Sequence, residues 1–236
     1  MTRLYLPLFI AASIFALRGD AQEAPSSESV KPGINESFLD PNLDVDNYIK
    51  RFEVESREVF AARLQILKAT GIKSGMTIAD IGSGTGLYTR LFARTVGQQG
   101  WVFAVDIVPK FLEHIRREMK TNQLTNVSPV LCSEDSVNLP KNSIDVAFIC
   151  DTYHHFEYPN STMHSLFQAI QPGGRLILID FERIPGTTRE WVLGHVRAGK
   201  SDFRAEIESV GFVFLKEVNI AGLKENYFLV FSKPKE

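Results

Sequence analysis

An apolar run that ends in a carboxylate and three alternating glycines constrains this chain more than any other feature. The segment is Ala79-Asp80-Ile81-Gly82-Ser83-Gly84-Thr85-Gly86. Residues 76–81 have the apolar character of a buried strand, and apolar residues recur at helical spacing from Leu87 onward. The glycines therefore lie at a turn between a strand and a helix. Without side chains, such a turn can adopt positive φ and lets a ligand approach the main chain closely.

The glycine spacing and the acid before it indicate the charge of the ligand. The dinucleotide fingerprint Gly-x-Gly-x-x-Gly would need its last glycine at position 87, where this chain has Leu87. Asp80 would repel a diphosphate, whereas a carboxylate there suits an ammonium or a sulfonium ion. The sequence thus predicts a ligand that carries positive charge.

Two further acids follow later predicted strands. Asp106 ends the predicted strand 101–106, where its carboxylate can accept both hydroxyl hydrogen bonds of a ribose. Asp135 follows an apolar strand predicted near 127–132, within Glu134-Asp135-Ser136-Val137-Asn138-Leu139-Pro140. Together with Asp80, these residues place acids in order on successive β–α units.

The glycine turn and the three acids resemble the class I S-adenosylmethionine-dependent methyltransferases over residues 47–231, and the pattern is most similar to the bacterial small-molecule enzymes that include quinone methylases. The resemblance implies S-adenosyl-L-methionine as the cofactor. Its methionine part would lie against the glycine turn, its ribose on the second acid and its adenine amine near the third. The corresponding cofactor-binding positions are Asp80, Gly82, Ser83, Gly84, Gly86, Asp106, Ile107, Glu134 and Asp135, and Glu134 stands where the family has a glycine.

Strand and helix signals alternate along the chain and predict an α/β fold. Strands are predicted near 101–106, 127–132, 144–150 and 174–181. This alternation implies a parallel sheet covered on both faces. Segments 212–218 and 227–231 follow the last predicted helix without a helix between them, as in the terminal hairpin of the resembled family. The predicted fold is a doubly wound, Rossmann-like, seven-stranded sheet, mostly parallel with an antiparallel C-terminal hairpin.

Candidate catalytic residues follow the fourth predicted strand. Ligands of open α/β sheets bind outside the carboxyl ends of the strands, which places this segment beside the expected methyl group. Methyl transfer is an in-line displacement that needs alignment and, for a hydroxyl or weakly acidic carbon acceptor, a base. The candidates are His155 or His154 as the base, Asp151 to orient it or to contact the cofactor amino group, and Tyr153.

The same residues can instead have purely structural roles. A histidine there can simply pack in the loop, Tyr153 can form only the pocket wall, and many methyltransferases act by proximity alone. His154, His155 and His164 lack a recognised metal-ligand spacing, so no metal site is predicted.

Two other segments carry second-tier candidates. Residues 48–67 predict one amphipathic helix, on which Arg57 either reaches the active site or belongs to a solvated face. His195 and Arg197 lie in an insertion, 191–200, that either shapes the acceptor pocket or caps a helix end.

Charge and cysteine usage exclude some partners. The net charge is −2, from 26 basic and 28 acidic residues, and no dense Lys/Arg stripe is present. A nucleic-acid partner is therefore disfavoured, and a small-molecule acceptor is expected. Cys132 and Cys150 end strands that are not neighbours in the family's sheet order, so we expect buried thiols rather than a disulfide. The oligomeric state stays open.

The first 21 residues predict a secretory signal peptide. Thr2-Arg3 precede an apolar segment, 4–17, and Gly19-Asp20-Ala21 offers a small-x-small cleavage site. The apolar segment is shorter than the about 20 residues of a membrane span, so no stable membrane insertion is expected after cleavage. The protein would then be periplasmic or secreted, and cytoplasmic if the signal does not function. Composition predicts a flexible linker over 22–45 and a single catalytic domain over 46–236.

The sequence thus favours a methyltransferase that acts on oxygen, nitrogen or carbon of a small organic acceptor. Two alternatives remain. A nicotinamide-dependent oxidoreductase can use the same fold, although Leu87 counts against it. A non-catalytic protein can retain the nucleoside pocket without turnover, because acids and glycines argue for binding only.

Overall fold

The computed structural model describes residues 28–235. The predicted signal peptide, 1–21, and the first part of the predicted linker lie outside the described residues. The elements in chain order are α1 (Val45–Phe52), α2 (Glu58–Ala61), α3 (Arg63–Thr70), β1 (Thr77–Ile81), α4 (Leu87–Val96), β2 (Trp101–Asp106), α5 (Pro109–Thr121), β3 (Val127–Leu131), β4 (Ile144–Cys150), α6 (Pro159–Ala169), β5 (Ile170–Phe181), α7 (Glu190–His195), α8 (Lys200–Ser209), β6 (Val213–Glu217) and β7 (Asn226–Ser232). A 3₁₀ turn, Tyr153–His155, follows β4.

The strands form one seven-stranded sheet in the order β3-β2-β1-β4-β5-β7-β6. Strands β1 to β5 run parallel, and β7 lies antiparallel between β5 and β6. This confirms the predicted fold class, including the antiparallel C-terminal hairpin. The chain order switches at β1, which has β2 on one side and β4 on the other. Ligands of such sheets bind outside the carboxyl ends at this switch point.

Both faces of the sheet are covered, as the parallel pairing requires. In β4, Ala147 and Ile149 pack in a core with α6 and α8, whereas Val146 and Phe148 pack in a second core with α3 and α4. All four side chains are buried. The alternation of side chains along a strand therefore buries apolar residues on both faces, and the functional groups are left at the strand ends.

Local signals account for the helices that flank the site. The helix α4 begins after Gly86, whose φ is 81°, and ends at Val96, with Gly97 as its C-cap residue. Pro109 occupies the first turn of α5, where its missing N–H costs no hydrogen bond. The predicted apolar stripe of α5 is buried as expected: Phe111, Leu112, Ile115 and Met119.

The single amphipathic helix predicted over 48–67 is instead three short helices, α1 to α3. At the end of α1, the Glu53 carboxylate accepts a hydrogen bond from Thr85 Oγ1 at 2.8 Å. Just before α2, the Arg57 guanidinium lies 2.6 Å from an Asp151 carboxylate oxygen. These contacts with the glycine turn and with the end of β4 bend the chain, and the helical periodicity of the sequence does not reveal them.

Residues 28–44 make specific contacts with the domain, although composition predicts a flexible linker over 22–45. The Val30 N–H donates to the Glu157 carbonyl at 2.9 Å. Asn35 and Leu43 are buried. The segment therefore forms part of the wall of the site described below.

Two further points concern the described part of the chain. None of its helices is long and apolar enough to cross a membrane. Cys132 and Cys150 are free thiols, and two strands, β1 and β2, separate β3 from β4.

Candidate active site

A cleft of about 590 Å³ lies at the carboxyl ends of the parallel strands. Its walls come from distant parts of the sequence, and we name two of its regions. The glycine end is formed by Asp80, residues 82–85 and 106–108, and Glu134. The histidine end is formed by His154, His155, Phe181, Trp191 and His195.

The glycine turn needs glycine for two different reasons. Gly82, Gly84 and Gly86 have φ values of 68°, 52° and 81°, a region that other residues rarely adopt. A Cβ on Gly82 would lie 2.1 Å from Thr152 Cγ2, so no side chain fits there. A Cβ on Gly84 would meet nothing closer than 3.8 Å, which leaves room for a ligand beside the backbone.

Asp106 is held in a fixed orientation at the glycine end. The Gly84 N–H donates to Oδ2 at 2.8 Å, and the Val108 N–H donates to Oδ1 at 2.9 Å. Each oxygen keeps a lone pair that can accept a hydroxyl hydrogen bond from a ligand. Burial raises the pKa of Asp106 to about 6.

Asp80 is the second buried acid of this region. Its Oδ2 accepts a hydrogen bond from Thr89 Oγ1 at 2.6 Å. Burial, and to a smaller extent the negative charge of Asp106, raise the pKa of Asp80 to about 7. A bound cation would favour the ionised carboxylate. The pair therefore makes the glycine end complementary to positive charge near neutral pH.

Two neighbouring groups can take part in binding. The Ser83 hydroxyl is buried on the cleft wall without a hydrogen-bond partner, so it is available to a ligand. Ile107 supplies an apolar wall next to Asp106.

Of the two neighbouring acids predicted to bind the cofactor, only Glu134 lines the cleft. Glu134 lines the cleft, and its Oε1 accepts a hydrogen bond from Asn35 Nδ2 at 3.3 Å. Asp135 is exposed, does not line the cleft and accepts a hydrogen bond from Ser133 Oγ at 2.6 Å. The assignment of Asp135 to the adenine site is therefore corrected, because its local turn directs the carboxylate to solvent.

Asp151 joins three elements and does not contact a histidine. Its Oδ2 lies 2.6 Å from Arg57 Nη2, and its Oδ1 accepts a hydrogen bond from Asn226 Nδ2 at 2.7 Å. Burial raises the pKa of Asp151, and the Arg57 charge opposes this shift. The expectation that Asp151 orients a catalytic histidine is thus corrected. Arg57 also lies on the cleft wall rather than on a solvated face.

Tyr153 and Arg197 point away from the cleft. Tyr153 is buried in the core that contains α6 and α8. The Tyr153 hydroxyl donates to Glu206 Oε2 at 3.0 Å, and its side chain is fully buried. Arg197 donates to both oxygens of Glu206 at 2.7 Å. Neither residue lines the cleft, so the catalytic role considered for Tyr153 is corrected. The packing of the 3₁₀ turn decides which of its side chains face the site.

His154 has a buried carboxylate partner, Asp180, which was not among the predicted site residues. Its Nδ1 lies 2.7 Å from Oδ1 of Asp180, and its backbone N–H donates to Oδ2 at 3.2 Å. Asp180 is fully buried near the carboxyl end of β5. This contact fixes the tautomer and orientation of the His154 ring. The sequence feature that could have indicated this partner is Asp180 itself, an acid within the apolar run of β5.

His155 and His195 complete the histidine end. Their Nε2 atoms lie 3.2 Å apart, and the His195 ring stacks on Trp191 with 4.9 Å between ring centroids. Burial lowers the pKa of His155 to about 2 and that of His195 to about 4. Both rings are therefore neutral near pH 7, and His155 is too weakly basic to act as an efficient general base.

The three imidazoles converge, although the sequence, judged from the spacing of His154, His155 and His164, predicts no metal site. One nitrogen from each of His154, His155 and His195 lies within 4.8 Å of the others. The His155 Nδ1 is buried and has no hydrogen-bond partner. His195 was only a second-tier candidate, because its insertion could equally cap a helix end, and 40 residues separate it from His155.

Comparison with known proteins identifies the family. Residues 72–217, more than half of the chain, match a family model described as a methyltransferase domain. Ubiquinone/menaquinone biosynthesis C-methyltransferase UbiE from Yersinia enterocolitica is 29% identical over 118 residues, which cover 50% of this chain and 47% of that relative. The chain thus spans about half the length of the curated relatives it matches. It belongs to the methyltransferase-domain family, in the class I S-adenosylmethionine-dependent group.

Solved structures support the same fold. A SAM-dependent methyltransferase from Aquifex aeolicus superposes with a TM-score of 0.69 at 24% identity, covering 81% of this chain and 100% of that one. Phosphoethanolamine N-methyltransferase 2 from Haemonchus contortus, in complex with S-adenosyl-L-methionine, gives a TM-score of 0.62 at 17% identity and covers 82% of this chain and 61% of that one. At these identities the likeness shows the fold alone.

Proposed function

We propose that this protein transfers the methyl group of S-adenosyl-L-methionine to a small organic acceptor bound at the histidine end. The observation that carries the proposal is the continuity of the cleft. One cavity contains the oriented Asp106 carboxylate, the glycine turn and the histidine end. Its volume of about 590 Å³ is in the usual range for small-molecule sites.

The glycine end supplies what the cofactor needs. Asp106 offers two fixed carboxylate oxygens to the ribose hydroxyls, and Asp80 offers negative charge to the methionine part. Glu134 replaces Asp135 as the acid beside the adenine. The rest of the same cleft, including the histidine end, is then left for the acceptor.

The histidine end supplies alignment and exclusion of water. The reaction forms a bond between the acceptor atom and the methyl carbon, and the carbon–sulfur electron pair returns to sulfur. Phe38 packs edge-on against His155 with 5.0 Å between ring centroids, and it covers the cleft from the N-terminal segment. Phe181 and Trp191 make this end aromatic, which favours a planar, largely apolar acceptor.

Two observations bear on the alternative functions. The family match favours methyl transfer over a nicotinamide-dependent oxidation. The three converging imidazoles of the histidine end favour an enzyme over a protein that only binds the nucleoside cofactor, because cofactor binding alone does not need them.

Titration calorimetry tests the cofactor part of the proposal. We expect Asp106→Ala to weaken S-adenosylmethionine binding by about 1.5–3 kcal/mol, the cost of losing charge-assisted hydrogen bonds. Asp135→Ala is the matched control, because this carboxylate faces solvent and should leave affinity unchanged. Equal affinity of wild type and Asp106→Ala would remove Asp106 from the site.

Isotope transfer tests the catalytic part. The protein is incubated with a metabolite extract and S-adenosylmethionine that carries a deuterated methyl group, and products are detected by mass spectrometry. We expect a small molecule to gain the labelled methyl group. Cofactor binding without any labelled product across extracts would favour the non-catalytic alternative.

A further inference from the structure

We propose that His154, His155 and His195 bind one divalent transition-metal ion at the histidine end, with a coordination position open to the cleft. Each imidazole contributes one nitrogen, and these nitrogens already lie within 4.8 Å of one another. Nothing in the sequence spacing of the histidines indicates this site. The fold creates it by bringing α7 against the 3₁₀ turn.

The separation of one pair of these nitrogens suits a shared ion. Two nitrogens bound tetrahedrally to zinc, each about 2.0–2.1 Å from the metal, lie about 3.3 Å apart. The Nε2 atoms of His155 and His195 are 3.2 Å apart. An N–H···N hydrogen bond between the rings would give the same distance, so the remaining groups must distinguish the two arrangements.

Asp180 supplies the second-shell partner that a metal-binding histidine usually has. Its carboxylate lies 2.7 Å from Nδ1 of His154 in a fully buried position. Such a carboxylate fixes the ring and raises the basicity of the other nitrogen. Nε2 is then the His154 atom that can reach a ligand in the cleft.

The Nδ1 of His155 does not distinguish the two arrangements. It is buried without a hydrogen-bond partner, and its surroundings are the same whether Nε2 shares a proton with His195 or binds an ion. The features that favour an ion are the third converging imidazole and the Asp180 carboxylate behind it.

The donor set indicates the class of metal. Imidazole nitrogens suit zinc, copper, iron and nickel, whereas magnesium and calcium prefer oxygen ligands. Three protein ligands leave a fourth tetrahedral position, as in catalytic zinc sites.

The open position would receive the acceptor, a role that rests on the proposed methyltransferase function. An acceptor hydroxyl that binds the metal loses its proton to solvent more readily. The resulting oxygen anion provides the electron pair that attacks the methyl carbon, while the carbon–sulfur pair returns to sulfur. A hydroxyl-bearing planar acceptor fits both the metal and the aromatic wall of Phe181 and Trp191.

Equilibrium dialysis with zinc tests metal binding directly. The full chain is treated with a chelator, dialysed against Zn²⁺ and analysed for bound metal, and Co²⁺ replaces Zn²⁺ for a visible absorption spectrum of the site. We expect one ion per chain. Asp180→Asn should weaken binding about 10- to 100-fold, the usual effect of losing a second-shell partner. His195→Ala should weaken it at least as much.

The two remaining histidines give matched controls. His114 and His164 lie outside the cleft, so His114→Ala and His164→Ala should bind zinc as the wild type does. Circular dichroism confirms the fold of each variant, and His195→Gln replaces His195→Ala if the latter does not fold.

Absence of stoichiometric zinc in the wild type, or wild-type affinity in folded variants of His195, would show a hydrogen-bonded trio only and overturn the inference. Metal binding without methyl transfer would instead leave this inference standing and count against the proposed function.

Discussion

The glycine end and the histidine end of the cleft are built in opposite ways. At the glycine end, backbone groups do much of the work, since two N–H groups orient Asp106 and positive-φ glycines open the turn. At the histidine end, side chains from the 3₁₀ turn, β5 and α7 converge, and Asp180 orients one of them. The geometry of the glycine end is determined within short stretches of chain. The geometry of the histidine end depends on how elements distant in sequence pack together.

This difference separates cofactor binding from acceptor chemistry. A glycine end made of backbone and strand-end acids suits a cofactor shared by a whole class of enzymes. A histidine end made of side chains from separate elements can vary from one member of a class to another without disturbing the sheet. Asp151 lies on the cleft wall outside both regions, where Arg57 and Asn226 hold its carboxylate.

The largest expected effect is on turnover, at the histidine end alone. His154→Ala should lower the methyl-transfer rate about 10²- to 10⁴-fold, because it removes the imidazole that Asp180 orients for proton removal or metal binding. The Kd for S-adenosylmethionine should stay within a factor of about two. Single-turnover rates and calorimetry measure the two quantities, with His164→Ala as the control. If cofactor affinity fell by the same factor as the rate, the histidine end would also bind the cofactor, and the assignment of separate roles to the two ends would be wrong.

The next largest effect is expected at Asp151, on the part of the cleft wall that belongs to neither end. Arg57→Ala leaves the buried Asp151 carboxylate without its cation, so the free energy of unfolding should fall by about 3–5 kcal/mol. Urea denaturation measures this change. The second substitution Asp151→Asn in the same variant should restore much of the loss, because it removes the unpaired charge.

An exposed ion pair provides the control for that experiment. Arg63 pairs with Glu55 at 3.3 Å near the surface, and Arg63→Ala should cost less than about 1 kcal/mol. Similar costs for Arg57→Ala and Arg63→Ala would mean that the Asp151 contact is as weak as a surface pair.

The smallest predicted effect is a pH dependence at the glycine end alone. Asp80, with a pKa of about 7, is mostly neutral at pH 6 and mostly ionised at pH 8. Since the ionised form attracts the cationic cofactor, affinity should rise about tenfold between these pH values. The Asp106 carboxyl, with a pKa of about 6, contributes at the acidic end of this range. Calorimetry at both pH values measures the change.

Asp80→Asn tests the origin of the pH dependence. This variant cannot ionise at position 80, so its affinity should vary much less between pH 6 and pH 8. An unchanged pH profile in Asp80→Asn would assign the dependence to another group.

The sequence predicted the position of the glycine end, but not which of its loop carboxylates face the cleft. The β–α periodicity and the glycine spacing are local signals, and they placed Asp80 and Asp106 on the cleft. That Glu134 faces the cleft and Asp135 does not was not predictable in the same way. Whether a loop carboxylate faces the cleft or solvent depends on contacts such as Ser133 with Asp135 and Asn35 with Glu134.

Residues at the histidine end were found only in part. The sequence indicated His154 and His155 because they follow β4, but it did not show that Tyr153 turns into the core to meet Glu206. It gave no reason to pair His154 with Asp180, 26 residues away.

What the sequence determined by itself is therefore the order of strands and helices, the turn that needs glycine, and the acids at the strand ends. Each follows from side-chain periodicity and backbone geometry within a few residues. The tertiary structure alone decided the bend after α1, the partner of Asp151 and the convergence of His154, His155 and His195. Those arrangements depend on how separate elements pack on the two faces of the sheet, and such packing joins residues that no local pattern relates.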